Sequence, residues 1–163
     1  MLNIITIGND ILKEKSAPVS EIDENIKKLI EQMTEVLDKK KGVGLAAPQV
    51  GENKRIFITK IPGDIQRVFI NPDIIQTSQE LVSCEEGCLS IPGVWADVVR
   101  PSEIIVQAWD IGGKVYKIEA RGVLARVIQH ELDHLNGILF TDRLDENQRE
   151  KVLKIYDRKS KAK

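Results

Sequence analysis

The chain has 163 residues, 42% of them hydrophobic, and its 24 basic residues are nearly balanced by 25 acidic ones. That length is enough to bury a core and predicts one domain over residues 1–163. The charge balance gives no electrostatic reason to expect a nucleic acid or an anionic membrane as partner. No apolar run approaches a membrane span. The start, MLNIITIGND, lacks a basic region ahead of a long apolar segment, so no signal peptide is expected and the predicted setting is the cytoplasm.

In chain order, the first strong signal is DENIKKLIEQMTEVLDKKKG. Ile26, Leu29, Ile30, Met33, Val36 and Leu37 recur at three and four, which makes one apolar helix face. Asp23 is placed to cap the start, Lys39 to Lys41 suit the negative end of the helix dipole, and Gly42 is the expected stop. The middle reads as strands: RIFITKI, RVFI and ELVSC, with Pro and Gly between them. EIIVQAWDI and KVYKIEA flank Gly112-Gly113, a hairpin signal. RGVLARVIQHELDHLN then turns helical, with Val123, Leu124, Val127, Ile128 and Leu135 as its apolar side and Gly137 as its end. A last helix is expected from about Asp145. Helices near both ends of a mostly antiparallel strand region predict an α+β fold.

Both histidines of the chain, His130 and His134, fall on the second predicted helix. Four residues make about one turn, so both imidazoles leave one face and can converge on one ion. Glu131 sits about 100° round from His130 and can flank the ion without ligating it. This is the H-E-x-x-H pattern, and the helix it requires is predicted independently from apolar spacing.

A catalytic site needs a third ligand and leaves one position for water. The extended motif H-E-x-x-H-x-x-G-x-x-H would put a histidine where this chain has Phe140. Glu146 and Glu150 lie downstream on what reads as a solvated helix face. Cys88, in the turn-like stretch EEGCLSIPG, offers a thiolate beside Gly87, whose bare backbone permits a close approach. Cys84, inside a strand, reads as a buried structural cysteine. In the cytoplasm neither thiol is expected to form a disulfide.

Three stretches together resemble the signature motifs of peptide deformylases: GVGLAAPQ at 42–49, EGCLS at 86–90 and QHELDH at 129–134. They occur in the family's order, and ILKEKSAPV, INP and GILFTDRL extend the likeness over nearly the whole chain. IGNDILK near the start and WADVVRP after the second motif depart from the usual pattern. The resemblance implies removal of the formyl group from N-formylmethionyl nascent polypeptides, near the ribosome exit. It implies Cys88, His130 and His134 as metal ligands, and Glu131 as the proton-handling group. Gln49 and the Leu89 N–H would face the developing oxyanion. The implied native ion is Fe(II), with Zn, Ni or Co able to take the site. The implied fold sets antiparallel strands around the motif helix.

The residues themselves add a substrate reading. GVGLAAPQVG has neither phosphate-loop spacing, so Gly42 and Gly44 are read as bare backbone along which a peptide adds as a strand. Val43, Gly44, Gly87 and Val127 are the candidate substrate contacts, and a monomer is expected. Two other readings stay open. One is a metallopeptidase with a downstream third ligand. The other is a metal-stabilised binding module closed by a fourth protein ligand such as Cys84.

Overall fold

A computed structural model describes residues 1–162. Seven strands and three α-helices follow in order: α1 (Glu24–Lys40), β1 (Gly44–Ala46), β2 (Ile56–Thr59), β3 (Arg67–Thr77), β4 (Leu81–Cys88), β5 (Ile91–Pro101), β6 (Glu103–Trp109), β7 (Val115–Arg121), α2 (Gly122–Leu135) and α3 (Glu146–Lys161). The fold is α+β with antiparallel strand pairing, as the strand and helix signals predict.

α1 forms because its apolar positions share a face. All six predicted residues are buried, and the Asp23 side chain accepts from Ile26 N–H. The stop differs from expectation. Lys41 is the left-handed residue, at φ 54°, while Gly42 follows it and donates to Leu37 O. Gly42 is glycine for another reason: a Cβ there would meet Leu37 at 2.9 Å and Leu89 at 3.2 Å.

Strand order β1-β2-β3-β6-β7 makes one five-stranded sheet. Period-2 alternation divides its residues between two cores. Ile56, Ile58 and Ile70 join the α1 residues in one cluster. Phe57 and Phe69, register partners with ring centroids 4.6 Å apart, join Ala125, Ile128 and Leu135 of α2 in another. The sheet is therefore covered by α1 on one face and α2 on the other. This explains why all four residues of β2 are buried and why the first three, Ile56 to Ile58, are apolar without alternation.

β4 and β5 form a separate two-stranded sheet, and β5 was not legible as a strand. Pro92 and Gly93 argue against one locally. The register shows how they fit: Gly87 pairs with Trp95, but Cys88 pairs with Ile91. β5 thus advances four positions while β4 advances one, so Pro92 to Val94 lie in a bulge. Val94 within the bulge, and Val98 and Arg100 beyond it, point inward, and the two valines pack with Leu12, Leu139, Phe140 and the α3 residue Val152.

α2 runs through the middle of the molecule. Ile128 and Leu135 are buried as expected, but Val123 is 60% exposed because it faces an open cleft rather than a core. Gly137 ends the helix region at φ 74°, and a Cβ there would run into the backbone carbonyl of Lys13. Left-handed backbone and backbone overlap both oppose a side chain. Gly137→Ala should lower stability by about 2 kcal/mol or more. A urea unfolding midpoint equal to the parent's would refute that account.

Candidate metal centre

α2 carries an unusual load of buried polar side chains: Gln129, Glu131, Asp133 and His134. A helix enclosed by protein must find partners for each. The β4–β5 sheet supplies many of them, and so builds the site.

Cys88, the last residue of β4, sits at the bulge, which turns its side chain toward α2. The ligand atoms of Cys88, His130 and His134 all lie within 4.8 Å of one another. Cys88 Sγ is 3.3 Å from His134 Nε2. The sulfur also accepts from Ser90 N–H at 3.4 Å and from Gln49 Nε2 at 3.6 Å. Burial alone would push the Cys88 thiol up. The His134 and His130 imidazoles beside it outweigh that and hold it well below the usual thiol value. The thiolate is the form that binds metal.

His130 is oriented from behind. Its Nδ1 lies 2.8 Å from Glu86 Oε1, a carboxylate that can only accept, so Nδ1 carries a proton and Nε2 is the nitrogen left for a metal. Burial would lower the His130 imidazole, but Cys88 and Glu86 outweigh it and raise it well above its usual value, so a metal at Nε2 would displace a proton. Such a carboxylate–histidine pair is the usual support of a metal-binding imidazole. Phe140, where the longer motif would have a third histidine, stacks beside the His130 ring with centroids 6.1 Å apart. His134 Nδ1 is buried without a partner.

Glu86 is itself held by three cationic or imidazole partners. Arg100 donates to both its oxygens, at 2.6 and 2.9 Å, and Arg126 donates to Oε2 at 2.6 Å. Burial would raise the Glu86 carboxyl, but hydrogen bonds from His130 and Arg100 overcome this and bring it down to about 2. Arg100 continues to Asp133 at 2.9 Å, and Asp133 receives two bonds from Arg143. The sequence reading missed this network. Its signal was Arg100 at an inward position of an alternating strand.

Glu131 stands apart from it. One carboxylate oxygen lies 3.8 Å from His130 Nε2, and the other is buried with no partner. Burial pushes the Glu131 carboxyl up to about 7, against the opposing pull of His130 and His134. Its space is reserved by Gly44, where a Cβ would meet Val127 at 2.8 Å and Glu131 at 3.0 Å.

The centre forms the floor of a cleft of ≈ 710 Å³. Val43, Gly44, Gln49, Gly87, Cys88, Leu89, Val127, His130 and Glu131 all line it. Gln49 is a buried residue of the short helical turn Ala47–Val50, not a surface amide. Its Oε1 accepts from Ala46 N–H and its Nε2 also donates to Ser90 Oγ at 3.1 Å. Gly87 faces the Trp95 ring, which a Cβ would meet at 2.5 Å. Cys84 is exposed, contrary to the buried role read from its strand, because this half of β4 is uncovered. It is not in the ligand group, and Glu146 and Glu150 are exposed on α3. The donor set of one thiolate and two imidazoles suits a divalent transition metal.

Residues 1–150 match the model of the family described as polypeptide deformylase. The chain belongs to the polypeptide deformylase family. It is 49% identical over 150 residues to a peptide deformylase of Treponema pallidum (strain Nichols), with 92% of each chain covered. It is 45% identical over 159 residues to one from Borreliella burgdorferi, covering 96% of each. A solved peptide deformylase from Legionella pneumophila superposes with a TM-score of 0.94 at 36% identity, over 99% of this chain and 96% of that one. Another, from Synechococcus elongatus in complex with actinonin, gives 0.90 at 40% identity, over 94% and 86%. Membership makes the chain an enzyme. In this chain the two-stranded sheet lies on α2 and delivers Cys88 and Glu86 to the two histidines.

Glu86→Ala should leave Arg100 buried and short of acceptors, and cost about 3–5 kcal/mol. The exposed neighbour substitution Glu85→Ala should change stability by less than about 0.5 kcal/mol. Chemical denaturation of the pair checks both; equal losses would remove the buried-network account.

Proposed function

We propose that this enzyme hydrolyses the formyl group from the N-terminal methionine of new polypeptides, releasing formate and a free amine. The observation that carries this reading is the convergence of Cys88, His130 and His134 at the floor of a cleft, beside a buried carboxyl with one unpartnered oxygen.

Cys88, His130 and His134 would hold the metal, with Fe(II) as the resident ion and Zn, Ni or Co able to replace it. When bound, a divalent cation supplies Lewis acidity, which acidifies water toward neutral pH and polarises a carbonyl. Glu131 accepts a proton from the attacking water and delivers it to the departing amine nitrogen. A carboxyl raised to about 7 can do both at neutral pH. The water oxygen joins the formyl carbon, the C–N bond breaks, and the electron pair stays on nitrogen.

As attack proceeds, charge grows on the formyl oxygen. The Leu89 N–H and Gln49 Nε2 meet it. Gln49 is preset because Ala46 N–H fixes its Oε1. Its longer bond, 3.6 Å to Cys88 Sγ, is the one that yields. Loss of such a donor costs about 3 kcal/mol of barrier.

The peptide enters along bare strand edges. β1 ends the five-stranded sheet, β4 belongs to the two-stranded sheet with β5, and residues of β1 and β4 line the cleft. A peptide adding between them finds backbone partners on either side. The methionine side chain packs on Val43, Leu89 and Val127. Gly44 lets Val127 and Glu131, and Gly87 lets the Trp95 ring, lie close against the strand backbone there. The setting is the cytoplasm, close to where formylated chains leave the ribosome, with the enzyme as a monomer.

The test is anaerobic purification, metal analysis and assay of one sample on formyl-Met, acetyl-Met and unblocked peptides. One metal per chain and cleavage of the formyl peptide alone is expected; cleavage of internal amide bonds would favour a peptidase instead. Glu131→Gln should keep the metal and lose turnover by about 10²–10⁴-fold. Normal turnover in a metal-loaded variant would remove Glu131 from its role.

A further inference from the structure

Arg126 stands one turn before His130 on α2 and lines the cleft, yet no step of the chemistry uses it. Its guanidinium meets acceptors on both strands of the β4–β5 hairpin. Nη1 donates to Glu86 Oε2 at 2.6 Å and to Val98 O at 2.9 Å; Nη2 donates to Val82 O at 2.8 Å. The side chain is 15% exposed, so it forms part of the cleft wall while its charge is mostly enclosed.

These three bonds act on different things. Val98 is buried on β5. Val82 lies on β4 and itself lines the cleft, as Val98 does not. Gln129 and Arg100 also tie the hairpin to α2, through Pro101 O and Asp133. Both of those ties reach β5. Among the described residues, Arg126 is the side chain of α2 that donates to the backbone of β4.

The geometry points to Arg126 as a positioning residue with two separable tasks, on the metal-site reading proposed above. Through Glu86 it steadies the Nδ1–H bond of His130, and so the aim of the Nε2 lone pair. Through Val82 O it fixes the outer strand of the hairpin, and so the width of the cleft where residues after the methionine lie. A planar fork can do both at once; a single ammonium cannot.

The holoenzymes to compare are wild type, Arg126→Met and Arg126→Lys. Three quantities are read on each: metal release into a chromogenic chelator, kcat and KM on formyl-methionine amide and on a formyl-Met tripeptide, and thermal unfolding. Arg126→Met should release metal about 10-fold faster or more. Its KM for the tripeptide should rise by about an order of magnitude, with a smaller rise for the amide. Arg126→Lys restores a cation beside Glu86, so metal release should return to near the wild-type rate while the tripeptide KM stays high.

That split supports the inference, and Arg126→Lys shows it even should Arg126→Met not fold. Wild-type metal release and KM in Arg126→Met overturn it. So does a Lys variant that recovers both properties or neither, which would mark a merely structural contact. Wild-type enzyme without bound metal would remove the site reading, and this inference with it. Retention in wild type with no split in the variants removes the inference alone.

Discussion

Everything at the centre depends on one buried carboxylate. Glu86 lies where β4 crosses α2, and its two oxygens serve His130, Arg100 and Arg126 together. An isolated carboxylate in that position would protonate or pull in water. Two guanidiniums keep it ionised, and an ionised Glu86 keeps the proton on Nδ1 of His130. The charge thereby dictates which imidazole nitrogen is free. The same residue is also two positions from Cys88 on one strand, so the support and the thiolate arrive together.

The surrounding charges form a closed set. Asp133 gives Arg100 and Arg143 a shared partner, and Arg143 approaches from the segment that leads into α3. Strand, helix and C-terminal segment are therefore joined by ion pairs beneath Cys88, His130 and His134. Buried pairs of this kind add less to stability than their number suggests, because desolvation offsets the attraction. Their use is geometric: they give the ligands one arrangement.

The parts of the molecule legible in the sequence were those with local signals. α1 shows its face in six spaced apolar residues. β6 and β7 show theirs through Gly112-Gly113. The paired histidines show that they share one helix face because helical spacing alone aligns them. What escaped was set by distant partners. β5 is interrupted by Pro92 and Gly93, and only pairing with β4 across a bulge makes it a strand. Arg100 and Asp133 look like surface charges until that strand is laid on α2. Cys84 looked enclosed because strand composition does not say which half of a strand is covered. Val123 looked apolar and inward because periodicity cannot tell a core from the wall of an open cleft. The glycines at 44 and 87 were legible as bare backbone, but what occupies the space beside each, Glu131 and Trp95, is a tertiary fact.

The tight seat beside Gly44 also bears on how this site can change over generations. Any side chain there presses on Val127 and on the carboxyl group of Glu131. A lineage under pressure from a compound filling the cleft cannot reshape that floor without displacing the buried Glu131 carboxyl. Tolerated variation is left to the outer wall, at residues such as Val123 and Trp95, which stand 60% and 58% exposed. Compounds that grip the floor and ignore the wall leave such a lineage the fewest escapes.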